Sequence, residues 1–137
     1  MKRPDETEEA MSQEQYDAGM RERKAVLGAE YVDKAMAVAD SFNREFQRMV
    51  TEYCWGATWG KGVLTRKERS LINLVMLSAL NRPHEFKIHM RGALTNGLTL
   101  EQIQEALHVV AVYCGIPAGV EAFRIARKVL REEGVLK

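Results

Sequence analysis

The chain has 137 residues, 46% apolar and 28% charged, the balance of an ordinary soluble globular domain that buries about two-thirds of its unfolded surface. With 20 basic residues against 19 acidic ones the net charge is +1, too small an excess to hold a phosphate backbone, which argues against a nucleic-acid role. The opening MKRPDETEEAMSQEQ lacks the apolar run of a signal peptide, and no stretch approaches the roughly 18 apolar residues of a membrane span, so a cytoplasmic protein is expected.

Residues 1–11 are charged and aperiodic and read as a mobile tail, with residues 12–137 forming a single domain. Ser12 suits the cap of a first helix over Gln13–Leu27, and Gly28 suits its stop. A long helical stretch then runs from about Glu30 to Trp55, with a break predicted near Asp40-Ser41. Gly56, Gly60 and Gly62 predict a loop over Gly56–Gly62.

Thr65 to Glu68 form a capping box, in which two side chains satisfy each other's backbone N–H donors. The helix it opens is apolar nearly all round from Leu71 to Leu80, as if buried inside a domain or at a subunit interface. Pro83 suits the first turn of the next helix, and Asn96-Gly97 stops it. Thr99 and Gln102 make a second capping box for a helix to about Tyr113. Gly115-Ile116-Pro117 breaks the chain before a last helix, Ala118–Glu133. No segment alternates with period two, so the fold class is all-α, with about six helices. Leu71–Leu80 and Leu107–Val112 leave more apolar surface than one core takes up, which predicts a homo-oligomer.

The candidate chemistry lies at the start of the helix after Pro83. Arg82, Glu85 and His89 stand at i, i+3 and i+7, the spacing that stacks side chains along one face. Histidine exchanges protons near neutral pH, a carboxylate one turn away orients it or raises its pKa, and arginines grip carboxylates. Arg66, Arg69 and Arg91 are close in sequence. From spacing alone, a solvated helix face has the same pattern. Nothing nearby organises His84 or His108, and no third ligand joins Glu85 and His89 for a metal. Gly60-Lys61 is not a phosphate loop, and there is no Gly-x-Ser-x-Gly elbow. Cys54 and Cys114 are far apart with no CxxC, and both read as buried, reduced thiols.

Between Tyr16 and Leu130 the chain carries YDAGMRERKAVLG, FNREFQRMVTEYCWGATWGKGVLTRKERSL, ALNRPHEFKIHMRGALTNGLTLEQI and VAVYCGIPAGVEAFRIA in that order. In these segments it resembles the carboxymuconolactone decarboxylase family. Glu85 and His89 fall where that family's proposed functional positions lie. The wider superfamily includes alkylhydroperoxidase-D-like proteins with a CxxCxxxH motif in this helix. Here the two cysteine positions are Arg82 and Glu85, so the resemblance implies the fold without the peroxidase cycle. It also departs from the decarboxylases at Ala57, where an acidic residue is expected.

The resemblance implies decarboxylation of 4-carboxymuconolactone, a butenolide with two carboxylates, to the 3-oxoadipate enol-lactone of protocatechuate breakdown. The substrate is its own electron sink, so no pyridoxal, thiamine or metal is required. His89 would donate the proton with Glu85 orienting it, Arg82 or Arg69 would hold the retained carboxylate, and Tyr53, Trp55 and Trp59 would wall the pocket. A ring-shaped homo-oligomer, a hexamer, is implied, with neither nucleic acid nor membrane as partner. Two other classes compete: a peroxide-handling protein that needs Cys54 or Cys114, and a helical binding or scaffold oligomer in which His89 is dispensable.

Overall fold

A computed structural model describes the backbone from Pro4 to Lys137 and the side chains from Ser12 onward. The mobile tail expected over residues 1–11 falls on side chains outside the described residues, and residues 1–3 lie outside them entirely. Every element among the described residues is helical, so the fold is all-α. The chain divides into two compact units, the first ending at Leu64 and the second beginning at Thr65.

The first unit holds α1 (Pro4–Leu27), α2 (Ala29–Ala37), α3 (Arg44–Met49), a π-helical segment over Val50–Thr58 and a 3₁₀ turn over Trp59–Lys61. Helix α1 starts well before Ser12. The preceding run is rich in Glu, Ala and Met, good helix formers without apolar periodicity. Ser12 is therefore interior, and its hydroxyl donates across to the Glu52 carboxylate. Gly28 (φ 93°) separates α1 from α2 in a conformation other residues rarely adopt. The break after α2 is chemical: Asp40 Oδ1 accepts from the Phe42 and Asn43 N–H groups at 2.9 and 3.2 Å, drawing the backbone out of the helix. That break splits the expected long helix and brings the α-helices among the described residues to seven.

The loop expected at Gly56–Gly62 does not form. The chain stays helical to Lys61, and only Gly62 (φ 74°) turns left-handed to end it. Gly56 has a packing role: a Cβ there would lie 2.2 Å from the Gln15 carbonyl oxygen of α1. Gly19 answers it on α1, where a Cβ would lie 1.9 Å from the Thr51 carbonyl oxygen. Two missing side chains thus let α1 and the π segment approach backbone to backbone. A small core of Val26, Trp55 and Trp59 lies beside them, flanked by Leu27 and Val50.

The second unit is a four-helix arrangement of α4 (Arg66–Ala79), α5 (Pro83–Thr95), α6 (Leu100–Cys114) and α7 (Ile116–Glu132). Both predicted capping boxes are present, with Glu68 N–H on Thr65 Oγ1 at 3.2 Å and Gln102 N–H on Thr99 Oγ1 at 3.1 Å. Leu74, Phe86, Met90, Leu107 and Val129 centre the core. Lys87 and Arg91 of α5 reach Glu132 at 3.6 and 2.6 Å, and Arg91 also reaches Glu133 at 3.2 Å, which ties α5 to α7.

Within the chain α4 is not buried all round. Leu74 is enclosed, whereas Ile72, Met76 and Leu80 are exposed, as are Val112 and Tyr113 of α6. Both cysteines are free and exposed, contrary to the buried thiols expected. The π segment buries Thr51, Trp55 and Gly56, which leaves Cys54 on the outward side with Tyr53. Cys114 is the last residue of α6. Among the described residues no helix is long and apolar enough to cross a membrane.

Candidate active site

The turn that launches α5 is built from Asn81, Arg82 and Pro83. Asn81 takes a positive φ of 53°, a conformation its short polar side chain tolerates. Arg82 is the N-cap and Pro83 the first helical residue, where a missing N–H costs nothing. Glu85 consequently sits exposed in the first turn and His89 one turn later, half-buried.

Burial pushes the His89 pKa below its ordinary value, and the nearby Glu85 charge pulls it partly back. The imidazole is therefore mainly uncharged near neutral pH. Its Nδ1 lies 3.3 Å from Asn73 Nδ2 on α4. Arg69 is half-buried on α4, one turn before Asn73, and i,i+4 spacing puts the two on one stripe of that helix. The α4–α5 pair thus carries a cation, an amide, a carboxylate and an imidazole along its length.

Arg82 is exposed and borders a cavity of about 310 Å³ with Leu77, Phe86, Cys114, Pro117 and Glu121. That volume is at the small end of the range for ligand pockets, and it suits a compact acid better than a large cofactor. Tyr53, Trp55 and Trp59 belong to the first unit. There the two indole rings lie 4.9 Å apart and are buried beside Val26, while Tyr53 is exposed. Among the described residues no group of three or more His, Cys, Asp and Glu side chains is gathered to hold a metal ion.

Sequence reasoning missed two residues. Asn73 was visible only as an amide within the apolar run of α4. Arg23 was passed over as one charge among many on α1, yet it is 94% enclosed (6% exposed). Its guanidinium donates to Thr51 Oγ1 at 3.1 Å and Gln47 Oε1 at 3.0 Å, linking α1 to α3 and the π segment. The signal was its place one turn after Gly19 and three residues before Val26, on the face of α1 that packs inward.

Cys54 is not primed for peroxide chemistry. Desolvation by the surrounding chain pushes its thiol up even though the residue reaches the surface, and the Arg23 charge only partly opposes this.

Residues 44–128 match the sequence profile of the carboxymuconolactone decarboxylase family. The chain is 38% identical over 128 residues to a nitrosuccinic acid decarboxylase of Metarhizium robertsii, spanning 93% of this chain and 90% of that one. It is 31% identical over 123 residues to a 4-carboxymuconolactone decarboxylase of Acinetobacter baylyi, spanning 90% of this chain and 92% of the relative. A Pseudomonas putida protein of the same name is 46% identical over 43 residues, 31% of this chain and 90% of its own length.

Proposed function

Because the chain belongs to the carboxymuconolactone decarboxylase family, we propose that it removes one carboxyl group as carbon dioxide from a small dicarboxylic acid whose own electron-withdrawing group accepts the bonding pair. One observation carries this reading. Relatives aligned over nine-tenths of the chain are named as decarboxylases of two different acids, and both acids carry two carboxyl groups and a built-in sink. In the lactone the sink is the conjugated carbonyl, and in nitrosuccinate it is the nitro group. The first substrate proposed is 4-carboxymuconolactone, giving the 3-oxoadipate enol-lactone in cytoplasmic protocatechuate breakdown. Nitrosuccinic acid is the second reading, favoured by the higher identity, 38% against 31%.

The bond from carbon to the departing carboxylate breaks, and its electron pair spreads onto an oxygen of the sink. His89 is the natural donor there. An uncharged imidazole gives a hydrogen bond far more readily than it gives up its remaining proton, so His89 steadies the developing oxyanion. The proton that replaces carbon dioxide on carbon comes from water. Glu85 sets the charge felt by the ring, and Arg82 or Arg69 pairs with the retained carboxylate. No pyridoxal, thiamine or metal takes part in these steps, since the substrate holds the electrons itself.

The exposed apolar residues Ile72, Met76, Leu80, Val112 and Tyr113 support self-association, with a hexamer as the expected form. Sedimentation of the purified chain tests it, and a monomer at all concentrations would end that part of the reading.

The deciding experiment is carbon dioxide release by the purified chain, with and without a chelator. It is run on 4-carboxymuconolactone generated in situ and, separately, on nitrosuccinic acid. Turnover of the lactone that survives the chelator supports the first reading, and turnover of nitrosuccinate alone supports the second. A folded protein that releases carbon dioxide from neither acid would sink both.

A further inference from the structure

The apolar run of α4 contains two polar side chains, and they are treated differently. Ser78 Oγ donates to the Leu74 carbonyl at 2.7 Å and so is satisfied within its own helix. Asn73 instead spans to α5 and meets His89 Nδ1 at 3.3 Å. Half-burying an amide in an otherwise apolar stretch costs free energy unless the amide is paired, and the pairing found here is to the ring assigned the chemistry.

We infer that Asn73 is a positioning residue for His89: its amide N–H donates to Nδ1, so the ring carries its hydrogen on Nε2 and presents that nitrogen as the donor. A neutral imidazole has one N–H and one bare nitrogen, and the bond made at one nitrogen dictates the state of the other. With the opposite tautomer, two N–H groups would face each other across 3.3 Å. Desolvation of the half-buried ring favours its uncharged form, Glu85 on α5 partly opposes this through its charge, and α4 offers the neutral amide. Which substrate atom Nε2 meets rests on the decarboxylase reading. The tautomer does not.

The test is nitrogen NMR on the full chain labelled at histidine, in mildly alkaline buffer, with the His89 signals identified by their loss in His89→Gln. The expected pattern is a protonated Nε2 and a bare Nδ1. This readout needs no substrate, so it stands even if neither proposed acid turns over. Asn73→Asp keeps the side-chain shape but can only accept, so the hydrogen should move to Nδ1 and the ring should titrate at higher pH. Where turnover is present, and at a pH where its ring is uncharged, this variant should lose about 10²-fold in kcat with little change in KM, because Nε2 then carries no hydrogen to donate. A wild-type ring protonated at Nδ1 would overturn the inference. So would a nitrogen pattern unchanged in a folded Asn73→Asp variant.

Discussion

Arg23 in the first unit and His89 in the second are both basic groups drawn away from water, and in both desolvation works against the charge. They answer it in opposite ways. Arg23 keeps its charge, because guanidinium is too basic to lose it, and spreads it over Thr51, Gln47 and the Met36 sulfur. His89 is basic enough to titrate and gives its charge up, and Asn73 accommodates the uncharged ring. A buried cation with neutral acceptors on three elements is a structural tie, whereas a half-buried imidazole that sheds its charge beside a neighbouring amide suits the chemistry proposed for it. The predictions below test that division of labour.

The largest effect is expected at His89. His89→Leu keeps a side chain of similar bulk but removes the N–H donor, and loss of an oxyanion donor costs about 10²–10³-fold in kcat. Its unfolding free energy should stay within about 1 kcal/mol of wild type, since a single side-chain hydrogen bond is worth about that much. Steady-state kinetics and denaturant unfolding on the same preparations check both halves. A variant that loses stability but not rate would reverse the roles given to the two units.

Gly19→Ala should do the opposite. Its Cβ would lie 1.9 Å from the Thr51 carbonyl oxygen and 2.7 Å from the Gly56 nitrogen, and backbone cannot swing aside as a side chain does. Overpacking of this kind costs about 1–3 kcal/mol and sometimes more. A melting temperature equal to wild type would show that α1 and the π segment are not held at backbone contact. Arg23→Lys should cost less, about 1–2 kcal/mol, because an ammonium reaches one of the two oxygen acceptors and leaves the other unpaired. Gln47→Leu in the Arg23→Lys background should then cost less than it does alone.

The same contrast explains what was legible in the sequence. Helix limits in the second unit follow from local chemistry. Thr65 with Glu68 and Thr99 with Gln102 each act within a few residues and appear where their spacing put them. The break expected over Gly115–Pro117 narrows to Gly115, with Ile116 and Pro117 already in α7 because proline fits a helix's first turn. In the first unit the deciding contacts are distant in sequence. Gly56 looked like a loop residue because its reason for being glycine lies in α1, at Gln15. Ser12 looked like a cap because Glu52 was out of view. The burial of Arg23 depends on Gln47 and Thr51, which no window on α1 contains. Helical spacing singles out Arg82, Glu85 and His89 as candidates, and the family resemblance points to the same helix. Asn73 was not found, because a helix pattern shows which residues share a face but not what faces them from the neighbouring helix.

The smallest effect sharpens the comparison most, because it separates the two groups by acid. The His89 pKa lies below its unfolded value of about 6.5. Between those two values the unfolded chain binds more protons than the folded one, so stability rises with pH in that window. The contribution is complete above about 6.5 and is lost as pH falls toward the folded-state value. His89→Gln should therefore flatten the decline of melting temperature just below pH 6.5 relative to wild type. Gln47→Leu, which removes one acceptor of the Arg23 guanidinium, should shift the whole curve down without changing its slope there, because guanidinium stays charged throughout that range. Parallel curves for wild type and His89→Gln would mean that the fold does not hold the imidazole uncharged, and the contrast with Arg23 would fall with it.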